Sequence, residues 1–531
     1  MIFKFYKKQH IHKILLDNSP PPFIIAEIFY FNGIIMEYIN KLNAYIINIS
    51  LNLKEFFFKY RFILLLSFII GILINSVDIF TFKFGIDNVV PPYHHFIKSR
   101  YGSLILYKLF PFLSYNHVSQ IMGVVSLILA SLLMVSKYKF SNTAKFLFII
   151  TFISAVYFTH LQYFFFQSAY NFIGLLFSVI AYRLIDNSKN IIYYALAVFL
   201  LFIGITSYQT NLSVFLSALM IGVILDFIDN KNIKASIYKI VKGTIILLVT
   251  LLIYYIVMKV TSTETNTYHK GMIYWLHSNA DYTKITINLL KLIFKNEIWT
   301  ILFLAVSFIY SLFYFKNIKE RIFFIVLAVL FILAVFSFNI LMGNIMPLRG
   351  RTQLAVLPAF TFLLIYNFKN YAVLKFLVIT ACIINFSINS SINVQEQTAN
   401  KVGYEQDRMT VSKIFDLIYT KYPEIYKDKY NIVFYGTLPR NNHVLKNSSD
   451  YMKVSFFTHS ARTRWLLSIS GLPDNIKHGN IIIWTHGLKN APEEVKKIIK
   501  EMPVYPHSDC VYKYDNTIIV KLSEYNAKLS E

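Results

Sequence analysis

Long apolar runs separated by short polar stretches fill the chain from Lys54 to Ile392. An apolar stretch of roughly 18 residues or more is long enough to cross a lipid bilayer as a helix. Two stretches, 146–182 and 191–225, are longer than one crossing needs and have polar centres, so each predicts a hairpin of two spans. The whole pattern predicts about eleven spans, at residues 62–77, 118–135, 146–182 (two), 191–225 (two), 243–258, 298–315, 322–342, 354–366 and 376–392.

Charged residues at the ends of these runs predict how the chain is threaded through the membrane. Lys145 and Arg183 flank the first hairpin, and Lys189 and Lys231 flank the second. Because Lys and Arg are retained on the cytoplasmic side, both pairs are expected inside and the polar hairpin centres outside. The N-terminus is then cytoplasmic, and the chain beyond the last span is extracytoplasmic.

The pattern changes beyond residue 393. Short segments typical of strands or of helices follow, at 407–422, 431–437, 480–485, 492–501 and 517–522. We expect a mainly α fold in three parts: a cytoplasmic or interfacial segment (1–60), a transmembrane bundle (61–393) and a small extracytoplasmic α/β domain (394–531).

Composition supports the membrane class. Hydrophobic residues make up 56% of the 531 residues and charged residues only 15%, whereas a soluble domain carries about 25% charged residues. The net charge of +24 does not indicate nucleic acid, because residues 394–531 hold 19 Lys and Arg against 15 Asp and Glu, and the remaining excess lies at the ends of apolar runs. The two cysteines, Cys382 and Cys510, provide neither a disulfide framework nor a cysteine metal site.

The loop after the first span carries the densest group of residues that could perform chemistry. Two carboxylates, Asp78 and Asp87, are followed by His94, Lys98 and Arg100. A carboxylate held among cations suits a general base that must stay ionised beside a negatively charged leaving group. The alternative is an ordinary solvated loop.

A second group, Arg349 and Arg351, lies in a short loop predicted on the same outer face. Because Lys and Arg are normally concentrated on the cytoplasmic side, two arginines on the outer face indicate a specific role. Its planar fork suits bidentate binding of phosphate. The alternative is pairing with a loop acid.

Polar and aromatic residues of the outer loops and hairpin centres form a third group. Amide, imidazole and aromatic side chains at similar depths suit a sugar site, although the same residue types also occur in the interfacial belt of membrane proteins. The candidates are His94, His160, Gln162, Tyr208, Gln209 and Trp275.

The order of several short motifs resembles the serotype-converting O-antigen glucosyltransferase family. The resemblance covers roughly Lys54 to Leu522 and rests on Ile86-Asp87-Asn88, Arg100-Tyr101-Gly102, Ser207-Tyr208-Gln209, Met346 to Arg351, Tyr404 to Asp407 and Met502 to Pro506. Two positions depart from the family pattern. Asn88 stands where the family has a second acid, and Arg100 precedes Gly102 where the family tends to have Gly-Arg.

The resemblance implies a C-type glycosyltransferase bundle in the bacterial inner membrane. Such an enzyme moves glucose, with inversion, from a polyprenyl-phosphate donor to a surface polysaccharide such as O-antigen on the outer face. Carried over to this sequence, Asp87 is the base with Asp78 assisting, and the phosphate is bound by four cations: Lys98, Arg100, Arg349 and Arg351. Prenyl chains then lie between the spans among membrane lipid.

Two other functions stay open at this stage, a polysaccharide polymerase and a flippase or transporter of lipid-linked sugar. A polymerase favours paired arginines in a large outer loop, and a flippase favours charged residues lining the bundle. The residues identify no particular cofactor. A divalent cation such as Mg²⁺ or Mn²⁺ is compatible with them, and the available ligands are Asp78, Asp87 and His94.

Overall fold

The computed structural model describes residues 53–81, 100–163, 165–187, 190–261, 281–291, 298–312, 315–343, 348–367, 372–426, 430–438, 455, 457, 481–484 and 492–524. The chain divides into two compact units, Met1–Leu66 and Ser67–Glu531. The contacts of the bundle, the candidate site and the C-terminal sheet all belong to the second unit.

Helices account for most of the described residues up to Lys421. They are α1 (Leu53–Ile74), α2 (Ser76–Phe80), α3 (Tyr101–Leu109), α4 (Asn116–Val135), α5 (Asn142–Ile153), α6 (Val156–Gln162), α7 (Phe165–Asn187), α8 (Ile191–Ser207), α9 (Asn211–Asn230), α10 (Ile233–Val260), α11 (Tyr282–Lys291), α12 (Ile298–Leu312), α13 (Ile318–Met342), α14 (Val356–Asn367) and α15 (Ala372–Lys421).

Several of these helices are long and apolar enough to span a membrane, so the protein is a membrane protein. Among the described residues seven helices meet the length and hydropathy criterion, or eight if the pair α5 and α6, bent by 50°, counts as one span. Each of the predicted apolar runs contains a helix, but α8, α12 and α14 are shorter than the criterion requires. The predicted number of spans therefore stays a prediction.

The helices differ in how deeply they lie in the bundle. In α9, 83% of the most apolar 18-residue stretch is buried inside the protein, whereas in α10 the corresponding share is 22%. Leu248, Leu252 and Ile256 of α10 are exposed. Because lipid tails are as apolar as these side chains, the exposed face of α10 suits direct contact with lipid.

Small residues bring α3, α7 and α8 close together. A methyl group placed on Gly204 of α8 would lie 2.3 Å from Ser178 Oγ of α7, and one on Gly102 of α3 would lie 2.1 Å from the carbonyl oxygen of Ile203. Without a hydrophobic force between helices in lipid, close backbone approach through small residues is a main source of association. This packing fixes the start of α3 against the end of α8.

Both predicted hairpins contain a helix break close to the expected centre. α6 ends at Gln162 and α7 begins at Phe165, while α8 ends at Ser207 and α9 begins at Asn211. Tyr208 is extended, with φ −153°. The Asn211 side chain holds the second break by donating to the carbonyl oxygens of Gly204 at 3.0 Å and Asn171 at 3.2 Å.

An ion-pair network joins α7, α9 and α10 at the end of the bundle opposite to the two helix breaks. Lys239 Nζ lies 2.6 Å from both Asp186 and Asp226, and Lys137 Nζ lies 2.8 Å from Asp186 and 3.3 Å from Asp226. These residues lie at the ends where the sequence predicts the cytoplasmic side. Both carboxylates bind Lys137 and Lys239, and Asp186 also lies 3.8 Å from Arg183, so the network fixes three helix ends together.

Replacing Asp186 with Ala should destabilise the protein strongly. The Asp186 side chain is almost fully buried, and its loss leaves Lys239 with one carboxylate instead of two. Breaking a buried pair from one side typically costs about 3–5 kcal/mol of unfolding free energy, so the thermal midpoint of the detergent-solubilised protein should fall. Asp229→Ala is the control, because Asp229 is exposed in the same region. Equal midpoints for the two variants would contradict a stabilising role.

Helix α15 continues without a break from its apolar part into its polar part. The expected boundary between residues 393 and 394 lies inside this 50-residue helix, which also covers the predicted helix 407–422 up to Lys421. Buried residues continue along one face of the polar half at helical spacing: Asn393, Gln397, Asn400, Tyr404, Asp407 and Val411. One rigid element thus connects the bundle with the C-terminal region.

A small sheet and one helix follow α15. The strands are β1 (Asn431–Tyr435), β2 (Ile481–Trp484), β3 (Val511–Tyr514) and β4 (Thr517–Lys521), and the helix is α16 (Glu493–Glu501). The order is β2-β1-β4-β3, with β1 parallel to β2 and β4, and with β3 antiparallel to β4. The three predicted strands and the predicted helix at 492–501 are confirmed, and β3 was missed.

The sheet packs on the polar half of α15. Val411, Ile414 and Phe415 of the helix share a core with the sheet, and Tyr163, which follows α6, belongs to the same core. Cys510 is also buried there, and burial raises the pKa of its thiol to about 11, so the thiol is uncharged at neutral pH. The core holds the sheet against the end of α6.

Candidate functional site

Polar side chains collect at the end of the bundle where α6 and α8 end and where α4 and α9 begin. A 3₁₀ segment, Leu348–Ala355, follows α13 and packs against α6 at this end. Thr210 and Thr352 join the segment to the start of α9 with a hydroxyl contact of 3.3 Å. This end carries most of the described residues that the sequence singles out.

Arg100 and Arg349 are connected through Tyr208. The Arg100 guanidinium lies over the Tyr208 ring, 5.7 Å from its centroid, and also donates to Gln167 Oε1. The Tyr208 hydroxyl donates to the backbone carbonyl of Arg349 at 3.2 Å. A cation over an aromatic face is attracted by the ring quadrupole, so Tyr208 orients Arg100 towards the arginine segment.

The 3₁₀ segment presents both of its arginines half-buried. The backbone departs from helical geometry at Arg351, with φ −118° and ψ 20°. Gln353 Nε2 donates to Asn339 Oδ1 at 3.1 Å, which ties the segment back to α13. His160 of α6 lies within electrostatic range of Arg349 and Arg351. The structure therefore brings Arg100, Tyr208, His160 and both arginines to one place.

Asp78 occupies a different edge of this region, beside α15. It is 2% exposed, and its backbone N–H donates to Gln397 Oε1 at 3.3 Å. Gln397 in turn donates to the Ile74 carbonyl at 3.1 Å. On the same face of α15, Asn393 accepts from the Thr159 hydroxyl at 2.8 Å. Helix α15 thereby joins the chain before residues 82–99 to the helix that carries His160.

Four of the predicted site residues, Asp87, His94, Lys98 and Trp275, lie outside the described residues. The described residues on either side of 82–99 are Thr81 and Arg100. The Thr81 carbonyl accepts from Asn116 Nδ2 at 3.0 Å at the start of α4, and Arg100 makes the contacts with Gln167 and Tyr208. Both flanking residues are fixed at the polar end of the bundle.

The remaining predicted residues also lie at this end. Gln162 is buried at the end of α6, and Gln209 is half-buried in the turn between α8 and α9. Residues that the sequence did not single out also belong to this region: Asn116, Gln120, Gln167, Gln353, Asn393 and Gln397. The only sequence signal for them is a polar residue near one end of an apolar run. Within the described part of the chain, no three His, Cys, Asp or Glu side chains are grouped as metal ligands.

The fold and this region define a polytopic membrane protein with a candidate site rich in arginine and amide groups. A family model described as Glucosyl transferase GtrII matches residues 79–366. Since the match covers more than half of the chain, the chain belongs to this glucosyltransferase family. The predicted resemblance is confirmed, and the protein is a glycosyltransferase. No curated protein and no solved structure matched the chain.

Membership of the family fixes the class of substrate. A glucosyltransferase of this family takes a sugar donor and a polysaccharide acceptor and acts in O-antigen modification. The match includes Arg100, His160, Tyr208 and both arginines of the 3₁₀ segment, and it ends at Tyr366. Helix α15, the sheet and Asp78 lie outside it.

Proposed function

We propose that this protein transfers glucose from a polyprenyl-phosphate donor to a hydroxyl group of a surface polysaccharide such as O-antigen. The transfer takes place at the outer face of the bacterial inner membrane and inverts the anomeric configuration. The observation that supports this most is the connected group of Arg100, Tyr208 and Arg349 at the end of the bundle where Thr81 and Arg100 fix the chain on either side of residues 82–99.

The arginines suit a lipid-phosphate leaving group. When the bond between the anomeric carbon and the phosphate oxygen breaks, negative charge develops on the polyprenyl phosphate. Arg349 and Arg351, with Arg100 and Lys98, stabilise that charge, and a guanidinium does so with paired hydrogen bonds. A donor carried by a prenyl chain needs no soluble nucleotide-binding domain, because the bundle and the surrounding lipid accommodate the chain.

The acceptor is activated from the outer loop. Asp87 takes the proton of the acceptor hydroxyl as its oxygen attacks the anomeric carbon from the side opposite the phosphate. One carbon–oxygen bond forms, one breaks, and the proton resides on Asp87 until it passes to solvent. Asp78 is a supporting carboxylate. Sugar and acceptor contacts come from residues of the same region: His94, His160, Gln162, Tyr208, Gln209 and Trp275.

The distribution of charged residues supports the proposed location of the site on the extracytoplasmic side of the membrane. The ion-pair network of Lys137 and Lys239 lies at the opposite end of the helices from Arg349, and Lys139 and Lys231 lie at that end as well. Cations concentrate at cytoplasmic ends. The arginine segment then belongs to the extracytoplasmic side, where the polysaccharide is located.

Transfer from a defined donor tests the proposal. Membranes containing the protein should move labelled glucose from polyprenyl-phosphate-glucose to lipopolysaccharide and release polyprenyl phosphate. Membranes without the protein are the control. Transfer that proceeds only from a soluble nucleotide sugar, with no use of the lipid donor by washed membranes, would contradict the proposed donor. A product that retains the donor's anomeric configuration would contradict the proposed inversion.

A further inference from the structure

Three buried side chains next to the candidate site have polar atoms without a hydrogen-bond partner among the described residues. They are Gln120 Oε1 of α4, both amide atoms of Gln162, and His160 Nε2 of α6. Gln120 is 0% exposed, Gln162 is 1% exposed and His160 is 3% exposed. In α4 and α6, the surrounding positions are occupied mainly by apolar residues.

Gln120 and Gln162 meet at one junction, and His160 belongs to the same helix as Gln162. Gln120 Nε2 donates to the backbone carbonyl of Gln162 at 3.0 Å, which joins α4 to the end of α6. His160 lies two residues before Gln162 and within electrostatic range of Arg349. On α4, Asn116 is one helical turn before Gln120 and binds the Thr81 carbonyl. The group therefore lies between the arginine segment and the start of residues 82–99.

Leaving these atoms without partners is costly. A buried polar group without its hydrogen bond has lost its bonds to water without replacement, and an apolar side chain of the same shape avoids that cost. Unpartnered groups of this kind require an explanation, such as water or a ligand. Unpartnered amide atoms of two neighbouring side chains, with His160 on the same helix and with the proposed phosphate-binding arginines nearby, suit a ligand that brings its own hydrogen-bonding groups.

The chemistry of the group favours hydroxyls over phosphate. Gln162 offers both a carbonyl acceptor and an amide donor, while the unpartnered Gln120 atom is an acceptor. A phosphate at neutral pH presents mainly acceptor oxygens, which an amide carbonyl does not bind. A hydroxyl can donate and accept, so neighbouring hydroxyls of a sugar ring match an amide carbonyl, an amide NH₂ and an imidazole nitrogen.

We propose that Gln120, together with Gln162 and His160, binds the ring hydroxyls of the donor hexose and so determines which hexose the enzyme accepts. The inference rests on the proposed function and extends it. It assigns Gln120 to the site, and it places this group on the donor sugar rather than on the acceptor. The arginines hold the phosphate end of the donor, and the amide group holds the sugar end.

The test compares two donors in two methionine variants. Gln162→Met keeps the shape of the side chain and removes atoms that have no partner among the described residues, so the thermal midpoint should stay or rise. With polyprenyl-phosphate-glucose, kcat/KM should fall about tenfold, the size of one lost hydrogen bond to the sugar. With a donor that lacks one ring hydroxyl, the wild type should be about tenfold slower than with the glucose donor. The variant without the side chain that binds this hydroxyl should show no further loss when the hydroxyl is removed.

Gln120→Met provides the second measurement. This variant should no longer distinguish the glucose donor from a deoxy donor at a ring position different from the one that Gln162 binds. It also loses the hydrogen bond to the Gln162 carbonyl. Gln395→Met is the control, because Gln395 is exposed on α15, and its kinetics should match the wild type. The inference fails if both methionine variants lose the same factor in rate with the glucose donor and with each deoxy donor. It also fails if glucose transfer is unchanged in both variants. In either case the amides bind only water or have only a structural role. A wild-type protein that does not use the lipid donor at all would overturn the proposed function itself.

Discussion

Replacing Asp87 with Asn should lower glucose transfer by about 10²–10⁴-fold, the contribution that a positioned general base makes to a reaction rate. The amide keeps the size of the carboxylate and cannot accept the proton of the acceptor hydroxyl. The loss should appear in kcat with the lipid donor saturating, because the base acts in the transition state and not in donor binding. Initial rates in membranes, normalised to the amount of protein, measure it.

Two other carboxylates make the Asp87 experiment specific. Glu405→Gln removes an exposed carboxylate of α15 that pairs with Arg408 at 2.8 Å, and transfer should be unchanged. Asp78→Asn changes a buried carboxylate beside Gln397 and should cause a smaller loss than Asp87→Asn. If Asp87→Asn keeps wild-type transfer at equal expression, the base is a different residue.

Most of the secondary structure could be predicted from the sequence because it follows from local patterns. Strands β1 and β4 lie inside the described sheet and contain continuous buried apolar runs, such as Ile518, Ile519 and Val520. Strand β2 is at an edge of the described order but is itself a continuous apolar run. Strand β3 was missed because it reads Val-Tyr-Lys-Tyr, with a lysine inside the strand and with Tyr512 exposed. Such a segment lacks the continuous apolar run that marks the other three strands.

The continuity of α15 could not be predicted from hydropathy. Around Ile392 the chain changes from apolar to polar, and hydropathy interprets that as the end of a span. The helical spacing of the buried positions nevertheless continues through Asn393, Gln397 and Asn400. What changes is the surrounding medium, from lipid to polar protein contacts, while the backbone hydrogen bonding of the helix is unaffected.

For the candidate site, the sequence could predict only which residues lie at the same end of the bundle. Alternating spans place Arg100, Tyr208 and Arg349 at one end of the bundle, and the structure brings them into contact there. Gln120 and Gln397 carried no comparable signal, because a single amide near the end of an apolar helix is common. Which amides meet depends on how the helices pack, through contacts such as that of Gln120 with the end of α6.

Replacing Arg349 with Ala should lower transfer by about 10²–10³-fold, similar to the loss of one preorganised hydrogen-bond donor at a developing anion. The contact from Tyr208 should remain, because Tyr208 donates to the backbone carbonyl of Arg349 and not to its side chain. Part of the loss should appear as a higher KM for the lipid donor, since the phosphate carries charge before the reaction as well as during it. Transfer rates over a range of donor concentrations separate the two effects.

The Arg349→Lys variant tests why the residue is an arginine. Lysine keeps the positive charge but loses the planar fork, so it should recover only part of the activity if the contact with phosphate is bidentate. Arg408→Ala is the matched control, because Arg408 is exposed and pairs with Glu405, and donor kinetics should not change. Full activity in the lysine variant would reduce the role of Arg349 to that of a simple charge. An unchanged KM and kcat in the alanine variant would remove it from the phosphate site altogether, and the phosphate contact would then fall to Arg100 and Arg351.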